Sequence, residues 1–220
     1  MKYLSFSLWG DKPIYNVGAI RNSELWKEIY PDWQMVVYYD NTVPLDTIER
    51  LESNGVDCYD MTDKNLYGMF WRFFAVGLPD SEYCSFRDCD SRISEREKKS
   101  VDEWIKSKKS LHVMRDHPYH GIPYGNDRIG ILGGMWGIKS DVLPLIDMID
   151  KFRKDKELSY GSDQTFLKTI YNVLLDDRYT NDDFFEKIPF TINRINGRFI
   201  GERIDENNNP VGDDYKILLK

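Results

Sequence analysis

Two aspartates, Asp88 and Asp90, flank Cys89 just after a short strand-like run from Tyr83 to Arg87. In an extended segment residues i and i+2 point the same way, with Cα atoms ~6.5 Å apart. Two carboxylates converging from that distance can hold one divalent cation through oxygen ligands, directly or through water. A hard cation of this kind clamps a diphosphate and neutralises the charge that develops as it leaves. The same spacing also occurs in plain acidic turns, so the surroundings must separate the two readings.

Three further patches hold reactive or backbone-permissive residues. Arg115, Asp116, His117 and His120 concentrate ionisable groups in a polar loop from Arg115 to Arg128, where a carboxylate can orient a hydroxyl and a histidine can titrate near neutrality. Gly133-Gly134-Met135-Trp136-Gly137 has no acid or base, so its use would be close backbone approach to a ligand, with Trp136 as a stacking wall. Asp163 and Gln164 open a helix after Gly161-Ser162. Asp163 there can accept a proton as a general base, or stabilise the helix N-terminus with its charge.

The elements that must position these residues alternate in type. Tyr3 to Leu8, Trp33 to Tyr39, Val56 to Tyr59 and Tyr83 to Arg87 read as strands; WQMVVYY is apolar enough for burial on both faces. Residues 17 to 29, Pro44 to Ser53 and the aromatic run Met69 to Val76 read as the intervening helices. Such alternation predicts a parallel α/β sheet, and ligands of such sheets bind beyond the carboxyl ends of the strands, where Asp88 and Asp90 fall. Downstream, Glu95 to Ser107 is a helix with a charged, solvated face, and Leu111 to Met114 is a strand. Val142 to Phe152 and Ser162 to Leu175 are helices, the second capped by Ser162, and the tail from Asn193 is a hairpin or an extension.

Composition narrows the function classes. A formal net charge of -7 and the lack of any basic block argue against a nucleic-acid partner. The three cysteines, an odd number without a CxxC pair, fit free thiols in a reducing compartment. The apolar stretch in MKYLSFSLWGDK is shorter than a signal-peptide core, and no run reaches the ~20 apolar residues of a membrane span. The expected location is cytoplasmic.

Around the acidic pair the sequence reads Phe86-Arg87-Asp88-Cys89-Asp90-Ser91-Arg92. With Trp71-Arg72-Phe73, the stretch from His112 to Pro118, the glycine-rich patch and Asp163-Gln164-Thr165-Phe166-Leu167 in order, it resembles the GT-A glycosyltransferases over residues 3 to 204. The likeness is to small stand-alone bacterial and viral members with an RDxDSR form of the motif. It implies a GT-A-like α/β fold with a Rossmann-like nucleotide-binding half and a mostly parallel central sheet. Residues 1–92 would form the nucleotide-sugar-binding half, 93–204 the acceptor and catalytic half, and 205–220 a tail.

By the same resemblance, Asp88 and Asp90 hold Mn2+ or Mg2+, and Leu8, Trp9, Gly10 and Asp40 border the nucleoside. Arg72 reaches the nucleotide or its phosphates, and Asp88, Gly134, Trp136 and Gln164 line the donor. Asp163 and Asp116 carry catalysis; in retaining relatives the Asp-Gln pair touches the donor sugar instead. Many members add a late histidine as third metal ligand, which His112, His117 and His120 precede, so Asp182, Asp183 or water would stand in. The implied partners are a nucleotide-sugar, by family habit a UDP-sugar, and a glycan or glycoprotein acceptor. Rival readings are a haloacid-dehalogenase-like phosphatase, in which the first Asp attacks phosphorus, and a non-catalytic sugar-binding module.

Overall fold

The structure is a computed structural model, and it describes residues 1–121, 130–155 and 157–219. The far part of the expected polar loop, from position 122 to Arg128, lies outside the described residues.

The first half alternates β1 (Lys2–Leu8), α1 (Pro13–Ile29), β2 (Gln34–Tyr39), α2 (Leu45–Ser53), β3 (Asp57–Asp60), a 3-10 segment (Gly68–Gly77) and β4 (Tyr83–Arg87). The second half adds α3 (Glu95–Ser107), β5 (Leu111–Arg115), β6 (Met135–Lys139), α4 (Leu145–Asp155), α5 (Ser162–Val173) and β7 (Arg178–Asp182). The seven strands form one sheet in the order β3-β2-β1-β4-β6-β5-β7. All neighbours pair parallel except β6, which is antiparallel to both β4 and β5. The mostly parallel α/β sheet expected from the alternation is therefore present.

Apolar residues on both sides of β1, β2 and β4 give the sheet two cores. On one face Phe70, Phe73, Phe86, Trp136 and Phe166 pack together beneath the 3-10 segment, α4 and α5. On the other, Leu4, Phe6, Trp26, Met35 and Trp104 pack against α1, α2 and α3.

Three local expectations change. The run around Met69 to Val76 is a 3-10 segment rather than an α-helix; its tighter turn sets Phe70 and Phe73 on one side, edge to face with ring centroids 6.0 Å apart. The cap of α5 is Gly161 (φ +84°), and Ser162 instead accepts a bond from the Ser159 N–H. On α3 the expected solvated face is broken by Arg96 and Glu97, both buried by pairing described below.

Candidate active site

The site is assembled where β4 ends and β6 begins. Because β6 runs against β4, with Arg87 opposite Met135, the carboxyl end of one strand meets the amino end of the other. That brings Asp88 against Gly134, with Gly133 beside Asp163 and Arg72. A Cβ at Gly134 would lie 2.0 Å from Asp88 Oδ2, and one at Gly133 would lie 2.4 Å from Asp163 Oδ2. The glycines thus permit close backbone approach, here to the carboxylates.

Arg72 ties the elements together. β1 offers two small hydroxyls on the face under the 3-10 segment. Ser7 Oγ accepts from the Arg72 N–H at 2.8 Å, and Ser5 Oγ donates to the Arg72 carbonyl at 2.7 Å. With its backbone clamped, the buried guanidinium donates from Nη1 to Asp88 Oδ1 and to the Arg87 carbonyl (3.1 Å), and from Nη2 to Asp163 Oδ2 (3.3 Å). Burial alone would lower the Arg72 pKa, but the charges of Asp88 and Asp163 outweigh it and leave it raised.

The carboxylates differ in setting. Asp88 is half exposed, whereas Asp163 is buried, with Oδ1 lacking any partner among the described residues. Burial pushes the Asp163 carboxyl up; Arg72 opposes this and the Asp88 charge adds to it, with the balance upward. Asp90 is also raised, by burial first and by Asp88 second, although Arg203 pulls it down. Cys89 between them is no nucleophile: burial and both aspartates push its thiol up, and its Sγ donates to the Ser7 carbonyl.

At the ends of β1 and β2, Gly10 (φ +75°) donates from its N–H to Thr42 Oγ1 at 2.6 Å, and Thr42 N–H donates to Asp40 Oδ1 at 3.1 Å. Trp9 is 40% exposed, rests on Gly68, and makes edge contacts to Tyr67 and Trp71. These residues share one rim. The Leu8 side chain does not join them: it is buried in the core, leaving only its backbone at the strand end.

Other expected site residues are elsewhere. Trp136 is fully buried between Phe73 (ring centroids 5.2 Å) and Phe86 (4.5 Å), so it is a core residue and no stacking wall. Asp116 is fully buried and saturated: Arg96 donates to both its oxygens (2.9 and 2.6 Å), and Arg194 and the Ile200 N–H add to them. A carboxylate held this way, with both oxygens engaged by arginine or backbone, positions backbone. His117 and His120 beside it are buried as well, while Tyr119 between them is exposed. Asp182 is paired with Arg115, Asp183 with Arg96 and Arg194, and His112 stacks on Trp104 in the interior. None of these stands in for a third metal ligand. Gln164 remains near Asp163 at the start of α5, its Oε1 buried and unpartnered among the described residues.

The site also uses residues that patterning passes over. Arg87, fully buried, donates to the Gly134 carbonyl and pairs with Glu97 at 2.9 Å, while Tyr30 donates to the other Glu97 oxygen at 2.8 Å. Gly18 on α1 lets the acidic turn pack on the helix, since a Cβ there would lie 2.0 Å from the Cys89 carbonyl oxygen. From the tail, Arg203 Nε donates to Asp90 Oδ2 at 3.0 Å and Ile204 N–H to the Asp90 carbonyl at 2.7 Å. A glycine inside a helical segment is the one readable signal among these.

No family model and no curated protein sequence matches the chain. Solved structures do resemble it. The S. aureus TarS fragment 1-349 superposes with a TM-score of 0.55 at 14% identity, over 83% of this chain and 58% of that one. The galactosyltransferase LgtC, solved with donor and acceptor sugar analogues, gives 0.50 at 10%, over 83% and 74%. The 4-diphosphocytidyl-2C-methyl-D-erythritol synthase of Anaerococcus prevotii gives 0.53 at 9%, over 87% and 93%. The chain thus spans little more than half of the TarS fragment. At these identities the likeness concerns the fold, which is the GT-A type shared by glycosyltransferases and nucleotidyltransferases.

Proposed function

We propose that the chain transfers a sugar from a nucleotide-sugar donor, with a UDP-sugar as the first candidate, to a hydroxyl of a glycan or glycoconjugate. The observation that carries the reading is Arg72, a buried cation clamped by β1 that joins Asp88 at the sheet edge to Asp163 on α5. One guanidinium links the end of the nucleotide-binding half to the second half, at the place where such folds bind ligands.

The donor set suits a hard divalent cation. Asp88 and Asp90 are oxygen ligands close enough for the charge of one to raise the other, a repulsion that a cation relieves. No group of three or more His, Cys, Asp or Glu able to hold a metal stands among the described residues, so phosphate and water oxygens would complete the shell. Mn2+ or Mg2+ held there would supply charge neutralisation for the departing diphosphate.

The chain's own residues take the remaining roles. Trp9, Gly10 and Asp40 border the nucleoside, and Arg72 adds positive charge beside the leaving phosphates. The acceptor oxygen bonds to the anomeric carbon as the bond from that carbon to the phosphate oxygen breaks. The nucleoside diphosphate leaves with the bonding pair, and the hydroxyl proton passes to Asp163, whose carboxyl burial pushes above its ordinary value. Gly133 brings backbone, without a side chain, up to that carboxylate.

The test is release of nucleoside diphosphate from a panel of nucleotide-sugars with Mn2+, for wild type, Asp88→Ala and Asp90→Ala. Loss of ~10^3-fold or more in both variants, with melting preserved, supports the assignment. Wild-type turnover in either variant defeats it. Release of inorganic pyrophosphate from a nucleoside triphosphate and a sugar 1-phosphate in a parallel assay would mark nucleotidyl transfer on the same fold, and hydrolysis of phosphomonoesters would revive the phosphatase.

A further inference from the structure

Beside the acidic pair lies a cavity of about 190 Å3 whose walls include Tyr119, His120, Phe199, Glu202, Arg203 and Tyr215. Arg203 belongs to both places, because its Nε donates to Asp90. Glu202 is only 6% exposed. Arg198 holds its Oε2, while its Oε1 is buried with no partner among the described residues. A buried acceptor left unpaired is costly, so the position favours a ligand that brings a donor.

The rest of the lining narrows that ligand. His120 Nδ1 accepts from the Asp116 N–H, which leaves Nε2 carrying the proton. Burial, then the neighbouring His117, lowers the His120 pKa to about 3, so the ring is neutral at physiological pH. Arg203 is engaged by Asp90 and Arg198 by Glu202, and Asp214 adds a further carboxylate to the lining. With the one arginine of its lining paired and two carboxylates present, the cavity disfavours a phosphate or an acid. A neutral ring whose hydroxyls both donate and accept, and whose C–H face lies on an aromatic side chain, suits it. The volume falls below the ~300–1,000 Å3 of sites for larger ligands and fits a single ring. The larger neighbouring cavity, about 400 Å3, shares the Phe199 and Glu202 wall, but Arg92, Arg96, Arg194 and Arg198 line it beside Ile192, Ile195 and Ile200, so it is the more cationic of the two.

We propose that this cavity is the acceptor subsite and takes one neutral, uncharged monosaccharide unit, oriented by Glu202 and stacked on Tyr119. The proposal rests on the glycosyl-transfer reading and specifies its acceptor. Saturation-transfer NMR on the full chain tests it, using the methyl glycosides of glucose, galactose and N-acetylglucosamine, with glucose 6-phosphate and glucuronate as anionic counterparts. The expected result is contact with at least one neutral glycoside and none with the anionic sugars, weakened at least tenfold in both Glu202→Gln and Tyr119→Ala. Tyr119 is 61% exposed, so its truncation spares the fold and decides the matter should Glu202→Gln melt early. A bound glycoside should also serve as acceptor, its KM rising more than the donor KM in both variants. Binding that the variants leave unchanged, equal binding of the anionic sugars, or no glycoside binding overturns the subsite. Absence of nucleoside diphosphate release by wild type is a separate result, and it sinks the glycosyl-transfer reading itself.

Discussion

Arg203 reaches across 113 positions of chain to donate from Nε to Asp90 Oδ2 at 3.0 Å. Arg72 engages Asp88 in the same manner, so each carboxylate of the acidic pair meets an arginine. The two arginines differ in freedom, Arg72 being buried and Arg203 having a side chain 57% exposed. Arg203 is therefore the one that can yield to a cation.

Arg203→Met should tighten Mn2+ binding, because it removes a competitor for Asp90 and a positive charge beside the ion. An exposed pair is worth about 1 kcal/mol at most, near a fivefold change in Kd. Calorimetric titration with Mn2+ alone reads this directly. Weaker binding in the variant would mean that Arg203 organises the site and does not compete for it.

Asp90→Asn should raise the melting temperature at pH 7 while removing the response to Mn2+. Burial and Asp88 raise the Asp90 carboxyl in the folded chain above its unfolded value, so folding favours the protonated form. Its contribution to stability is greatest at low pH and declines as pH rises through the window from the ordinary carboxylate range to the raised value. The variant's advantage should accordingly shrink on acidification. In wild type, Mn2+ at 100 times its Kd should stabilise by about 2.7 kcal/mol, on the order of 5–10 °C for a chain this size. Scanning calorimetry with and without metal checks both statements.

The fold was largely legible because β1, β2 and β4 are apolar runs that stop at Trp9, Asp40 and Asp88, so strand ends and candidate chemistry coincide in sequence. β7 was not legible: RYTND looks like a turn, and it is buried only through long-range partners, Asn181 on His112 at 3.1 Å and Asp182 on Arg115 at 2.8 Å. Charge misled in the same way at Arg87, Glu97 and Asp116. Periodicity assigns such residues to water, and only the tertiary pairing shows them inside. Trp136 misled in the other direction, since an aromatic beside glycines reads equally well as a ligand platform or as core. The Arg72 clamp depends on two serines of β1 lying 65 and 67 positions away, a relationship that no local pattern encodes.

Glu97→Ala should destabilise strongly. It leaves Arg87 buried without its carboxylate partner, and breaking a buried pair from one side costs about 3–5 kcal/mol. Chemical denaturation should show that loss with little change in slope. A drop under about 1 kcal/mol would mean that water reaches Arg87 and that the pair does not support the acidic turn.

Gly134→Ala and Gly18→Ala separate chemistry from packing. At Gly134 the added methyl meets chiefly the Asp88 carboxylate, a half-exposed side chain that can turn away, and less closely the Asp88 backbone nitrogen (2.9 Å), so activity should fall at least tenfold with a smaller loss in melting than at Gly18. At Gly18 it meets the Cys89 backbone oxygen, which cannot rotate aside, and overpacking of that kind costs about 1–3 kcal/mol. Paired melting curves and donor-turnover assays should therefore show opposite patterns in the two variants. The same pattern in both would detach Gly134 from the positioning of Asp88.

Asp163→Asn distinguishes a proton acceptor from a partner of Arg72. The amide keeps an oxygen for the Arg72 Nη2 bond but cannot take a proton. As a base, Asp163 must be ionised, and since burial raises its carboxyl, the rate should climb with pH through that raised value and then level off. The variant should lose about 10^2- to 10^4-fold in kcat together with the acid limb of the profile, while donor KM moves little. If the residue only holds Arg72 in place, the loss is small and the acid limb survives in Asp163→Asn, whereas Arg72→Lys, which cannot bridge two carboxylates, loses activity. Steady-state pH profiles of the three proteins decide between these roles, and a wild-type profile without an acid limb would rule out Asp163 as the base.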